Sequence, residues 1–221
     1  MTLAQDEVVS GLVAELRSLR GLVATLTEDE WAAPTRCVGW TVSDIAAHVT
    51  GVMADITAGR LEGIDTQPWY DRQVAERSGR PPRALVAELD HVIAATEELM
   101  AAFDESAWKG PAVPGIAGTL GTAILSLWCG IYIHNEDILA ALRRAPQKGP
   151  GLHAAVAYIS VALTDRGWGP ATIALDGVGD VTIGGRGGRR IEADPLAFTL
   201  VASGRADPAL LEADSSVNIY G

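Results

Sequence analysis

Trp31-Ala-Ala-Pro-Thr-Arg-Cys-Val-Gly-Trp-Thr-Val-Ser-Asp-Ile-Ala-Ala-His48 is the stretch on which the reading of this chain turns. Pro34 and Gly39 punctuate a loop. Thr41 is a good N-cap, and Asp44 three residues later comes close to a capping box. A helix is therefore predicted from Thr41 to about Gly59, burying Val42, Ile45, Val49, Val52, Met53 and Ile56. His48 follows Ile45 by three residues and precedes Val52 by four, which puts its imidazole beside the buried stripe. Asp44 lies one turn before it and Asp55 two turns after, on roughly the same side. A half-buried ring in this setting needs a polar partner, and Asp44 is the nearest candidate.

Outward from this stretch, the spacing of apolar residues predicts three more helices. One runs from about Leu3 to Leu26, with Val8, Leu12, Leu16, Leu19, Val23 and Leu26 on one face. Another begins after Pro81-Pro82 and reaches about Phe103. Thr119 to Arg143 has the cleanest pattern: Leu120, Ile124, Leu127, Ile131, His134, Ile138 and Ala141 form a heptad seam facing a core. Arg60 to Pro82 reads as a long polar connection, with Trp69 and Tyr70 either lining an entrance or packing on the helices. Trp108 to Gly118 reads as a second loop.

Past Arg143-Arg144-Ala-Pro-Gln-Lys-Gly-Pro150 the composition changes. A helix from about Leu152 to Thr164 precedes strand candidates at Ala171 to Asp176, Asp180 to Gly184 and around Arg189 to Glu192. Helices at Pro195 to Ala202 and Pro208 to Glu212 close the chain. The expected fold is mostly α: an antiparallel four-helix bundle over residues 1–146, then a small α+β domain over 150–221.

The totals exclude several classes. A chain of 221 residues with 48% hydrophobic and 20% charged residues is globular rather than disordered. A formal net charge of −11 argues against a nucleic-acid partner, since phosphate binding wants a basic face. The longest apolar region, near Thr119 to Ile133, is broken by Gly121, Ser126 and Gly130 and is shorter than the ~20 residues a bilayer span needs. The N-terminal stretch to Arg20 carries Asp6, Glu7 and Glu15 and does not read as a signal peptide. Cys37 and Cys129 are too few for a disulfide framework. A soluble, cytoplasmic protein with two free thiols and a small-molecule partner is expected.

Two histidines on the apolar faces of separate helices suggest a metal held inside the bundle. A polar group in a helix seam is costly unless paired, and a shared cation would pair His48 with His134. Neutral imidazole suits zinc, iron, nickel or copper. Asp137, three residues beyond His134, shares its face and is read as a third ligand or as an orienter of a ligand. Glu136 points to nearly the opposite side. His91 and His153 are expected at the surface, and Cys129 in the core. Cys37 reads as a packing residue rather than a nucleophile. Arg186, Arg189 and Arg190 read as solvated charge on a glycine-rich hairpin.

Thr35-Arg-Cys-Val-Gly-Trp-Thr-Val-Ser-Asp-Ile-Ala-Ala-His48 resembles the opening signature of the mycothiol-dependent maleylpyruvate isomerase family, whose first domain is a DinB-like four-helix bundle. His134-Asn-Glu-Asp-Ile138 is similar to its second motif: a Glu, three residues, a His, two residues, then Asp-Ile. Phe198 to Tyr220, with Gly204-Arg205 and Val-Asn-Ile-Tyr220, resembles the end of its sterol-carrier-like second domain. The resemblance implies a divalent metal, usually zinc, held by the first-motif His and by the Glu and His of the second. Those histidines fall on His48 and His134, while the Glu position is Gly130 here. Asp137 matches the family's Asp, and Arg205 is matched to an arginine that reaches toward the active site as a substrate anchor. The implied chemistry is addition of mycothiol across a cis double bond, rotation and elimination. The expectation is thus a metal- and thiol-dependent isomerase or transferase acting on a small electrophile. The rival is a metal-free relative that binds a small molecule, as a regulatory protein or as an enzyme on a recruited scaffold.

Overall fold

The computed structural model describes residues 3–221, which divide into two compact units, one spanning Gln5–Pro146 and the other built on Gln147–Gly221. The first unit contains α1 (Gln5–Val23), α2 (Glu28–Trp31), α3 (Val42–Thr57), α4 (Gln67–Arg77), α5 (Pro82–Ala101), α6 (Glu105–Lys109) and α7 (Leu120–Ala141). Its four long helices close a ring of pairwise contacts: α1 packs on α7 and α5, and α3 packs on α5 and α7. Val8, Leu12, Leu16, Leu19 and Val23 of α1 are buried there beside Ile45 and Met53 of α3, Leu89 of α5 and Ile138 of α7. Each such side chain contributes about 1.5–3 kcal/mol on burial. Among the described residues, no helix is long and apolar enough to cross a membrane.

Two features of this unit depart from expectation. The connection from residue 60 to 82 contains a helix, α4, packed on α3. Its buried stripe is Trp69, Gln73 and Arg77, one apolar residue and two polar ones at helical spacing, so hydrophobic periodicity does not reveal it. Gly51 of α3 allows the close approach, since a Cβ there would lie 2.5 Å from the Cβ of Gln73. The second departure is on α7. Ile124, Ile131 and Ile138 are buried as expected, but so are Trp128, Tyr132 and Asn135, whereas Leu120, Leu127 and Ala141 are only half-buried. α7 buries more than one stripe, which rotates His134 to the margin of the core, with 16% of its side chain exposed.

The second unit holds α8 (Pro150–Asp165), β1 (Ala171–Leu175), β2 (Gly179–Ile183), β3 (Arg189–Ala193) and α9 (Pro195–Ala202), followed by two short 3₁₀ turns. The sheet order is β2-β1-β3, with β1 antiparallel to β2 and parallel to β3. Ile173 pairs with Val181 on one side and Ile191 on the other, and all three are buried. Alternation along β1 buries Ala171, Ile173 and Leu175 on one face. The predicted helix at Pro208 is a 3₁₀ turn, Pro208–Leu211.

Candidate metal centre in the helical unit

The site begins in the loop before α3. Thr35 and Trp40 close it: the Thr35 N–H donates to the Trp40 carbonyl at 3.0 Å, and the Trp40 N–H to the Cys37 carbonyl at 2.9 Å. The resulting four-residue turn carries Gly39 at φ +82°, the third-position conformation that glycine adopts without strain. Thr41 then caps α3. Its hydroxyl accepts from the Asp44 N–H, while the Asp44 carboxylate accepts from the Thr41 N–H at 2.8 Å and hydroxyl at 2.7 Å. Asp44 is thereby committed to the helix start.

α3 brings His48 into a group of rings. Its centroid lies 5.0 Å from that of Trp40, 5.1 Å edge-on from Tyr70 and 5.1 Å edge-on from His134. Tyr70 comes from α4 and donates its hydroxyl to Asp65. The predicted pair of histidines therefore meets, from α3 and α7, between two larger aromatic rings.

His134 also faces Asp137 one turn on, with Nδ1 3.3 Å from Oδ2. The same oxygen accepts from the Cys37 thiol at 3.2 Å. Its partner oxygen, Oδ1, lies 3.3 Å from Arg36 Nε, and Arg36 Nη2 donates to the Glu136 carbonyl at 2.8 Å. Asp137 is fully buried, so this arginine supplies the positive charge that a carboxylate out of water requires. One ligand atom each from Cys37, His134 and Asp137 lies within 4.8 Å of the other two. His48 adjoins this group through its ring contact with His134 rather than as a member of it.

Asp55 is elsewhere. Its buried carboxylate accepts from Arg60 Nε at 2.8 Å, Arg72 Nη2 at 2.7 Å and Gln73 Nε2 at 3.2 Å. Burial pushes this carboxyl up, but the hydrogen bonds from Arg60, Arg72 and Gln73 outweigh it and hold the group below the usual aspartate value. Asp55 ties α4 and Arg60 to α3, and so positions Tyr70. Neither Asp44 nor Asp55 is available to complete a metal sphere. A third buried carboxyl, Glu15 of α1, accepts from Asn135 Nδ2 at 2.5 Å and Trp128 Nε1 at 3.4 Å. Burial pushes it up, and these two hydrogen bonds offset part of that rise.

Arg205 lies in the second unit, at the C-terminal cap of α9. Its N–H donates to the Leu200 carbonyl at 2.7 Å and the Gly204 N–H to Val201 at 3.0 Å, the double closure of a Schellman motif. Its side chain, half-buried, donates to the Ser203 carbonyl at 2.9 Å. His91 and His153 are exposed and Cys129 is buried. The expected hairpin does not form, because β1 lies between β2 and β3, and Arg190 of β3 pairs with Asp180 of β2 at 2.6 Å across it.

Cys37, Trp40 and Tyr70 are the neighbours that spacing does not bring to the histidines: Cys37 reads there as a packing residue and Tyr70 as lining an entrance or packing on the helices. The glycine turn signals that the loop folds back on itself, but the partner of Cys37 is 100 residues away. The donor set of sulfur, nitrogen and carboxylate oxygen fits a borderline divalent ion such as zinc. Two of the donor separations, 3.2 Å and 3.3 Å, come close to what a tetrahedral ion requires. With bonds of about 2.0–2.3 Å, adjacent donors around a tetrahedral zinc stand about 3.3–3.8 Å apart.

Fold and site together define a helical bundle with inward histidines on two of its long helices. Residues 12–139 match the mycothiol maleylpyruvate isomerase N-terminal domain, and the chain belongs to that family. The crystal structure of the mycothiol-dependent maleylpyruvate isomerase is similar in fold, with a TM-score of 0.68 and 17% identity over 93% of each chain. A histidine-to-alanine mutant of that enzyme gives a TM-score of 0.66 at the same identity and coverage. No curated protein matches the sequence.

Proposed function

We propose that this protein is a metal- and thiol-dependent isomerase or transferase acting on a small electrophile, with mycothiol as the thiol. The observation that carries this reading is the meeting of the His48 and His134 rings at 5.1 Å beside a buried carboxylate and a thiol. In this reading residues 1–146 form the metal-binding domain, and 150–221 a sterol-carrier-like domain. His48 and His134 hold a divalent ion, zinc by preference. Asp137 either joins them or orients the His134 ring, whose Nδ1 stands 3.3 Å from Oδ2. When bound, the metal supplies acidity, lowering the pKa of a thiol or polarising a carbonyl. Trp40 and Tyr70 wall the imidazoles and limit water at the reacting atoms. Arg205 is proposed as the anchor for a substrate carboxylate. A reducing cytoplasm is the location proposed for this protein, and it suits cysteines that form no disulfide, as is true of Cys37 and Cys129.

The direct test is an assay of the zinc-loaded protein with mycothiol and maleylpyruvate, followed by a panel of other small electrophiles. The expected result is metal-dependent conversion to the trans isomer or a thioether product. His48→Ala and His134→Ala should each lower it ~100-fold or more. Turnover that survives both substitutions and chelation would contradict the reading.

One observation favours a second reading. A Cβ at Gly130 would meet no atom within 4 Å, so α7 leaves open space one turn before His134. A metal-free protein that binds a small apolar molecule there would use that space. Retention of such a ligand by chelator-treated protein, unaltered in the histidine variants, would support it.

A further inference from the structure

We propose that Cys37 is a metal ligand, its thiolate joining His134 and Asp137 on one divalent ion. This rests on the metal-dependent reading above and deepens it by assigning a sulfur donor to the centre.

α7 supplies too few donors by itself. One turn before His134 it presents only Gly130, whose missing side chain leaves open space, so the helix offers no donor at that position. Asp44 and Asp55 are held by Thr41 and by Arg60, Arg72 and Gln73. A further donor has to come from another element, and the loop before α3 delivers one. Cys37 Sγ stands 3.2 Å from Asp137 Oδ2, which itself stands 3.3 Å from His134 Nδ1. These separations are at or just below the ~3.3–3.8 Å expected between adjacent donors on a tetrahedral ion, so small outward shifts would admit the ion.

The loop is also fixed in advance. The Gly39 turn holds Cys37 from behind, and the bond from Arg36 to the Glu136 carbonyl fastens the neighbouring residue onto α7. A ligand placed this way loses little freedom on coordination. Chemically, the thiol loses its proton to solvent as the sulfur–metal bond forms, and the Asp137 oxygen that accepted the S–H becomes available to the ion. Arg36 remains beside the other oxygen. A centre with a thiolate donor should prefer zinc or cobalt to magnesium or manganese.

The probe is cobalt(II), titrated into chelator-treated full-length protein kept reduced without added thiol, and followed by absorption. Wild type should show tetrahedral ligand-field bands together with a near-ultraviolet thiolate-to-cobalt charge-transfer band. Cys37→Ser should lose the charge-transfer band, keep ligand-field absorption, and bind cobalt ~10–100-fold more weakly. Ligand-field bands in wild type without the sulfur band would overturn the assignment of Cys37 and leave the histidine reading standing. A sulfur band that persists in Cys37→Ser would overturn it equally. Failure of wild type to take up cobalt at all would overturn both. The wild-type spectrum decides even where the variant folds poorly.

Discussion

Asp55 and Asp137 sit in the same helical unit, both wholly buried and both beside arginine, yet they do different work. Asp55 has its oxygens occupied by two guanidinium groups and a carboxamide. None of those donors gives up a proton near neutral pH, and none binds a metal. The cluster is a clamp that holds α4 against α3. Asp137 shares one oxygen between a thiol and an imidazole, and only the other faces arginine. Its neighbours are proton-exchanging and metal-binding groups. Burial and a charged partner are common to both sites. The chemistry of the remaining donors is what separates a structural carboxylate from a candidate functional one.

The largest effect on the contrast should come from Asp55→Ala. It strands the buried Gln73 amide and two arginines, which are partly exposed and return to solvent. A loss of about 2 kcal/mol in unfolding free energy is expected, with metal affinity changed only a few-fold. Urea denaturation and cobalt titration of the same sample check both halves. Asp137→Asn should do the reverse, weakening metal binding ~10–100-fold while costing less stability than the Asp55 variant. If both variants lose stability alike and bind metal alike, the distinction between the two sites collapses.

Arg36→Met tests whether docking of the loop matters. Removing the contacts to the Asp137 carboxylate and the Glu136 carbonyl should weaken metal binding about tenfold, the low end of outer-shell effects. The smallest effects concern pH. The Asp55 carboxyl is held below its ordinary value of 3.8, so its stabilisation is present above that pH and is lost as pH falls through the lower folded value. Glu15 is pushed above 4.5, so its contribution is complete below that pH and is lost as pH rises through the folded value. Urea midpoints against pH should show both limbs, one at the acid end from Asp55 and one of opposite slope above pH 4.5 from Glu15. Asp55→Asn should flatten only the acid one.

Much of this was legible in residue spacing, for reasons that also explain what was not. The capping residues Thr41 and Asp44 act locally, and helical period brought His48 and His134 to inner faces of α3 and α7. α4 was hidden because its inward residues, Trp69, Gln73 and Arg77, are satisfied by packing and hydrogen bonds rather than by hydrophobicity. The stripe drawn on α7 was partly displaced because that helix is apolar on several faces, and periodicity picks one stripe where packing buries more. Cys37 gave no local sign, since its position depends on a turn docking onto α7, 100 residues on.

Metal analysis tests most directly whether His48 and His134 hold a metal. The protein would be purified without a histidine tag or added metal, then offered zinc at neutral pH and desalted beside the His48→Ala, His134→Ala double variant. Zinc close to ~1 per chain in wild type and none in the variant is the predicted result. Wild-type protein that retains no zinc, or a variant that retains as much, would contradict it.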